Sequence, residues 1–493
     1  MKIGMISLGC PKNLVDSEVM LGLAQQAGHQ LTRDAADADV LIVNTCAFID
    51  TAKQESIDTI LEMAEHKKDG RCTRLVVTGC LAERYRDDLR AQLPEIDAVL
   101  GTGEVDQIVS ALGAAPAGAH AGGATFVPLL RANGEPVPAP SHHAPAPSHP
   151  APSHPAPAPS HPRPPAPSHP PTYLYDASTP RLLATPRHYA YLKVAEGCDY
   201  KCAFCIIPTL RGPYRSRTEA SIVSEARRLA ASGVKELLLI SQDTTFYGID
   251  RGERGALGRL LRALNRVEGL GWIRLLYLYP TTITDDVLDA IGESEKVCRY
   301  IDLPLQHASD AVLRRMKRPG TRAMYERLLD RIRRRLPDAT LRTTFIVGFP
   351  GETAADIDEL RGFLETVQFD HVGIFTYSDE EGTSAHALAD DVPAGEKRRR
   401  RSQLMGLQKR LVSAAQRRRR GEQVRLLVDG PSAEHDLVLR GRTAGQAPDI
   451  DPVVYLTDAD PEAVAAGSFI TAEIVGSRGY DLVARPVVAP QPA

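Results

Sequence analysis

The sequence predicts an α/β protein: an N-terminal parallel α/β domain over residues 1–113, a central open (β/α)6 partial barrel over 181–420, and a small C-terminal β-barrel over 421–488, followed by a tail at 489–493. Three observations predict it. In residues 1–113 and again in 188–385, short apolar runs alternate with stretches of helical apolar spacing, the pattern of a parallel sheet with helices on its faces. From 422 to 488 the pattern changes to closely spaced short strands separated by Gly, Pro and Asp, as in a small barrel. Between the first two regions, residues 114–180 turn abruptly to Ala, Pro, Ser, His and Gly, a composition unable to bury a core and expected to be a disordered insertion.

In chain order, the first domain offers strands at Lys2 to Leu8, Val40 to Asn44, Leu75 to Thr78 and Ala98 to Leu100, with a helix at Ser56 to His66 between two of them. The insertion repeats Ala-Pro-Ser-His-Pro at 146–150, 151–155, 158–162 and 166–170. Its histidines are spaced by prolines that favour extended, solvated backbone, so nothing fixes a metal-binding geometry. The central domain offers strands near 189–195, 235–241, 272–279, 300–305, 341–347 and 371–377, with helices such as Ile222 to Ala231 and Thr321 to Leu336. In such an open barrel the chemistry belongs on loops at the carboxyl ends of the strands. There the sequence places Gln242 and Asp243, Gln306 and His307, and Gly348-Phe349-Pro350-Gly351-Glu352. Glycines in the last of these would let the backbone approach a nucleoside closely, which makes Gln242, Asp243, Gly348 and Pro350 the candidate cofactor contacts. The last region offers strands at Gln423 to Val428, Asp436 to Arg440, Val453 to Leu456 and Ile470 to Val475.

Charge and composition exclude several classes. A hydrophobic content of 43% with 25% charged residues is that of an ordinary globular chain, and the formal net charge of −3 implies no nucleic-acid partner except through a local patch. One such patch lies in residues 394–420, with charge runs at Lys397 to Arg401 and Arg417 to Arg420; runs of this kind are usually solvated faces. The barrel region carries eleven acidic residues against five arginines, which suits a basic protein better than a phosphate backbone. No apolar run is long enough for a signal peptide or a bilayer span. Eight cysteines in so long a chain argue against a secreted disulfide framework, and a cytoplasmic location is expected.

The cysteines carry the chemistry. Cys198, Cys202 and Cys205 form a Cys-x3-Cys-x2-Cys loop just after a strand, and no fourth thiol lies nearby. A four-iron cube held by three thiolates keeps one iron open. Zinc usually closes with four ligands, and this stretch has neither a second Cys-x2-Cys pair nor a neighbouring histidine. Cys10, Cys46 and Cys80 each close a predicted strand, so a parallel sheet would bring them to one edge and form a second three-thiolate site. Cys72 precedes its strand and is read as a structural thiol.

The three-cysteine loop resembles that of the radical S-adenosylmethionine enzymes. The chain outside the insertion resembles the methylthiotransferases, which join an N-terminal cluster domain, a central radical domain and a C-terminal barrel called TRAM. Gly9-Cys10-Pro11-Lys12-Asn13-Leu14-Val15-Asp16-Ser17-Glu18, Ser241-Gln242-Asp243-Thr244-Thr245, Asp302-Leu303-Pro304-Leu305-Gln306-His307-Ala308-Ser309-Asp310 and Arg342-Thr343-Thr344-Phe345-Ile346-Val347-Gly348-Phe349-Pro350-Gly351-Glu352-Thr353 resemble the protein-modifying RimO branch. The tRNA-modifying MiaB branch typically has Gln-Met after the first cysteine. The resemblance implies two [4Fe-4S] clusters, on Cys198, Cys202 and Cys205 and on Cys10, Cys46 and Cys80, with S-adenosylmethionine as radical source and methyl donor. It implies methylthiolation of an aspartate β-carbon, whose C–H bonds no side-chain acid or base can activate. The implied partners are the twelfth protein of the small ribosomal subunit, on or near the ribosome, and an electron donor such as flavodoxin or ferredoxin. A tRNA adenosine is the alternative substrate, supported by the basic segment; a non-catalytic iron–sulfur protein that binds ribosomes is a further alternative.

Overall fold

The computed structural model describes residues 1–113, 173–432 and 437–487, in two compact units. The expected insertion lies outside the described residues up to 172. Its predicted end at 180 is too late, because Tyr175 is buried beneath the Arg217 guanidinium, 4.3 Å from ring centroid to Cζ, and the second unit begins at Leu174. The run Tyr173-Leu174-Tyr175, between prolines and Asp176, is too short to give a periodic signal that marks that boundary.

The first unit holds residues 1–113, Tyr173 and the short segment Thr209–Gly212. Its sheet is parallel, with β1 (Lys2–Ser7), β2 (Gln30–Leu31), β3 (Val40–Thr45), β4 (Arg74–Gly79) and β5 (Ala98–Leu100) in the order β2-β1-β3-β4-β5. β3 is buried along its whole length, as a central strand covered on both faces must be. β2 is a two-residue edge strand, too short to register as an alternating run. The helix Pro11–Gln26 starts with proline at its first turn, where a missing N–H costs nothing, and Cys10 stands at its N-cap position in an extended conformation.

The second unit combines the six-stranded arc and the terminal barrel. The arc consists of β6 (Tyr189–Lys193), with a small hairpin of β7 (Ala195–Glu196) and β8 (Arg215–Ser216) on its loop, then β9 (Glu236–Ile240), β10 (Trp272–Leu275), β11 (Tyr300–Asp302), β12 (Thr340–Val347) and β13 (His371–Thr376). β6, β9 and β10 pair in parallel, as do β11, β12 and β13. The bonds from Cys298 N to Ile273 O, 2.8 Å, and from Leu278 N to Asp302 O, 2.9 Å, join the two triplets across β10 and β11. The predicted open (β/α)6 arrangement is therefore present, with one continuous apolar core between strands and helices. The barrel is closed, in the order β14 (Gln423–Pro431), β15 (Leu439–Arg442), β16 (Val454–Leu456), β18 (Asp481–Pro486) and β17 (Phe469–Arg478). β18 is absent from the expected strands; it closes the barrel by lying parallel to β16.

All six strands of the arc reach the barrel, four of them through their first residue and β10 and β12 through their third. Tyr189 donates to Asp449 at 3.1 Å, Glu236 accepts from Arg442 at 2.6 Å, and Arg274 donates to the Ala444 carbonyl at 2.7 Å. Tyr300 donates to Asp451 at 2.6 Å, Arg342 pairs with Asp451 at 3.2 Å, and His371 bonds the Gly445 carbonyl at 2.8 Å. Six bonds from six strands thus converge on residues 442–451. This corrects the reading of the barrel's acidity: Asp429, bonded to His188 just before β6, Asp449 and Asp451 are held against the arc and add nothing to an outward anionic face.

Candidate active site

Cys10, Cys46 and Cys80 sit at the carboxyl ends of β1, β3 and β4, which are neighbours in the sheet. Gly9 turns at φ +87°, and a Cβ there would stand 3.0 Å from the Cys46 sulfur, so the first and second cysteine loops touch at a position only glycine fits. Gly79 turns at φ +94° before Cys80, where a Cβ would stand 2.3 Å from the Asn44 amide oxygen. Ser56 pins Cys46 by accepting its N–H at 3.0 Å and donating to its carbonyl at 2.9 Å. Asn13 ties the loops together by donating to the Leu8 and Thr45 carbonyls at 3.1 and 2.8 Å.

Burial pushes the Cys46 thiol far up, and the charges of Cys80 and Cys10 push it further. Burial also raises Cys80, to about 11, against the pull of the Arg211 guanidinium. Arg211 belongs to the short segment counted with this unit; its Nη2 lies 3.9 Å from the Cys80 sulfur, and its Nη1 pairs with Asp16 at 3.1 Å.

The second trio lies on the loop after β6. Cys198, Cys202 and Cys205 are each half-buried. Burial raises Cys198 to about 11 and Cys205 to about 12, and the neighbouring thiols of the trio add to both shifts. The loop is held by the bond from Ala203 N to the Met316 carbonyl, 2.8 Å, and that from Ala385 N to the Ala203 carbonyl, 2.8 Å. Arg318 places Nη1 3.7 Å from the Cys202 sulfur and lies 3.9 Å over the Tyr279 ring, which stacks on Tyr200 at 3.8 Å.

Each trio therefore gathers thiols whose charged forms repel one another in a poorly solvated site, and each has one arginine within reach of a sulfur. Such a donor set fits a soft, strongly positive centre. No three His, Cys, Asp or Glu among the described residues converge as ligands of a single ion.

The other candidate contacts divide. Gln242 donates to Glu196 at 2.7 Å, and its amide oxygen is buried without a partner among the described residues. Asp243 is buried and occupied in capping the turn Thr244–Phe246, accepting from Thr245 N at 2.8 Å and Phe246 N at 3.2 Å. Gly348 turns at φ +75°, and the group that comes close to it is Lys397, whose Cγ would lie 2.3 Å from a Cβ there. Pro350 is buried beside it. Glu352 accepts from Gly348 N at 2.8 Å and pairs with Arg400 at 2.7 Å, with His307 Nε2 3.3 Å away, so this turn is braced against the helix Ala394–Arg418. Sequence reasoning missed Arg211 and Arg318. Each acts on a cysteine more than a hundred positions away, and no local spacing signals such a pair.

Residues 2–101 match the uncharacterized protein family UPF0004, residues 192–364 the radical SAM superfamily, and residues 421–487 the TRAM domain. A solved radical S-adenosylmethionine methyltransferase, TsrM, from Kitasatospora setae, with cobalamin and a [4Fe-4S] cluster bound, shares the fold with a TM-score of 0.52. It is 16% identical, over 78% of this chain and 73% of that one. The match of residues 192–364 to the radical SAM superfamily makes the chain a radical S-adenosylmethionine enzyme. Ribosomal protein uS12 methylthiotransferase RimO of Koribacter versatilis is 49% identical over 98% of this chain and 96% of its own. Those of Solibacter usitatus and Myxococcus xanthus are 45% and 44% identical, over 100% and 99% of this chain and 96% and 92% of their own. The chain belongs to the RimO family of methylthiotransferases, enzymes that transfer a sulfur-containing group.

Proposed function

We propose that this methylthiotransferase modifies an aspartate of ribosomal protein uS12, using two [4Fe-4S] clusters, one on each cysteine trio. The reading of the site rests on one observation above the rest: two sets of three thiols, each at strand ends or on a strand-end loop, each with a guanidinium at one sulfur. The substrate rests on the identity to relatives named for uS12 and not on the barrel's charge, since part of that charge is buried. When bound, the clusters and S-adenosylmethionine supply the electron, the radical, the methyl group and the sulfur.

The chain's own residues bind and position. Cys198, Cys202 and Cys205 hold the radical cluster, and Cys10, Cys46 and Cys80 hold the second. The unpartnered amide oxygen of Gln242 is one buried acceptor on the strand-end loops left to take a bond from the cofactor. Asp243, Gly348 and Pro350 shape the loops beside it. The electron comes from a small carrier such as flavodoxin or ferredoxin, in the cytoplasm.

Anaerobic incubation with uS12 on small ribosomal subunits, S-adenosylmethionine and a reductant tests the assignment: uS12 should gain the mass of one methylthio group at an aspartate. A product on tRNA instead would overturn it.

Two variants probe the two sites separately. Gly9→Ala forces a Cβ against the Cys46 side chain, so iron should fall from about eight to about four per chain while 5′-deoxyadenosine still forms. Arg318→Met removes a positive charge beside Cys202 and so favours the more oxidised cluster. Its midpoint potential, followed by electron paramagnetic resonance during redox titration, should move negative, while that of the other cluster stays in place.

A further inference from the structure

The helix Ala394–Arg418 and the two residues after it carry eleven lysines and arginines against the single carboxylate of Glu396. Five of these cations have work inside the protein. Lys397 pairs with Asp390 at 2.6 Å, Arg399 and Arg400 with Glu396 at 2.6 and 2.8 Å, Arg401 donates to the Ile374 carbonyl at 2.9 Å, and Arg419 pairs with Glu422 at 2.7 Å. Arg398, Lys409, Arg410, Arg417, Arg418 and Arg420 are exposed and form no ion pair with any described residue.

Their placement is ordered. At about 100° per residue, Arg398, Lys409, Arg410 and Arg417 fall within a sector of about 120°, on a stripe about 30 Å long. Leu404 and Leu407, which pack into the core, and Gln408, which bonds the Phe369 carbonyl at 2.8 Å, lie on the opposite side. The helix dipole accounts for cations in the last turn but not for Arg398, Lys409 and Arg410. So many unpaired like charges along one face repel one another, a cost that a polyanion spanning the stripe offsets.

We propose that this stripe docks on the phosphate backbone of ribosomal RNA next to the substrate protein. The inference rests on the uS12 assignment and deepens it: the catalytic site takes the protein, and the helix takes the RNA that surrounds it. Phosphate contacts position a protein without reading sequence, which is what an enzyme meeting one target in one particle requires.

The test is a chain with Arg398, Lys409, Arg410 and Arg417 all changed to Gln, compared with the parent for binding to purified small subunits across a salt series. All four are exposed, and iron content with 5′-deoxyadenosine formation verifies that the variant is intact. The parent's affinity should fall steeply with salt, and the variant's slope should be shallower by about three, since each phosphate contact contributes about 0.7 to 0.9. At low salt the variant should bind subunits at least about tenfold more weakly, yet modify isolated uS12 at the parent's rate. Unchanged affinity and slope, or an equal loss on isolated uS12, would overturn the RNA contact. A parent that binds subunits salt-dependently but modifies uS12 in neither form would overturn the substrate assignment and leave the RNA contact standing.

Discussion

Cys202→Ala should abolish 5′-deoxyadenosine formation and lower bound iron from the about eight per chain of the two proposed clusters to about four. The loss is expected to be complete and not graded, because two thiols cannot hold a cube that three hold with one corner open. The change also leaves the Arg318 guanidinium, 3.7 Å from that sulfur, facing no thiolate. Cys46→Ala provides the contrast. It removes a thiol proposed to hold the other cluster, buried at the end of β3, and should halve iron equally while 5′-deoxyadenosine still forms and no methylthio product appears. Iron analysis, chromatography of the nucleoside and mass spectrometry of uS12 read the three quantities. If Cys46→Ala also stopped nucleoside formation, the two trios would not hold independent clusters.

Arg442→Met should destabilise the second unit by about 3–5 kcal/mol, the usual cost of removing one partner from a buried charge network. Arg442 is 1% exposed, grips Asp429 with two bonds of 2.9 Å, and meets Glu236 at 2.6 Å. Glu236 is shared with Arg274 at 2.8 Å, so the substitution leaves two carboxylates in a site built for cations. Urea unfolding followed by tryptophan fluorescence would report it, since Trp272 is the single tryptophan and stacks edge-on against Phe469 of the barrel, 5.0 Å between ring centroids.

The same pair sets an acid limit. Burial pushes Asp429 up, but the charge and hydrogen bonds of Arg442 and a bond from His188 outweigh it and hold the carboxyl at about 2. A carboxyl depressed in the folded state stabilises it fully above the ordinary value near 4, and that contribution is lost as the pH falls toward 2. In Arg442→Met this part of the acid dependence should shrink to what the bond from His188 alone sustains.

Much of this was legible in the sequence because it is local. The alternation of strands and helices predicted the parallel sheet and the arc, and cysteines directly after apolar runs predicted one sheet edge for Cys10, Cys46 and Cys80. The glycines at 9 and 79 are the exception among local signals: only the approach of Cys46 and of Asn44 shows why no Cβ fits. Long-range pairing was not legible. Arg211 and Arg318 meet their cysteines through the fold, and Asp429, Asp449 and Asp451 read as surface charge until their partners on the strands are seen. β18 was missed because its Asp481 start and Arg485-Pro486 end break the run of apolar residues, although its pairing with β16 closes the barrel.

Since every strand of the arc sends one bond into residues 442–451, the terminal domain is not an interchangeable module. Grafting a barrel from a relative with another target would leave buried Glu236 without Arg442 and Arg342 without Asp451 unless that guanidinium and carboxylate travelled with it. Retargeting this architecture, by evolution or by hand, therefore requires the floor of the arc and its plug to change together.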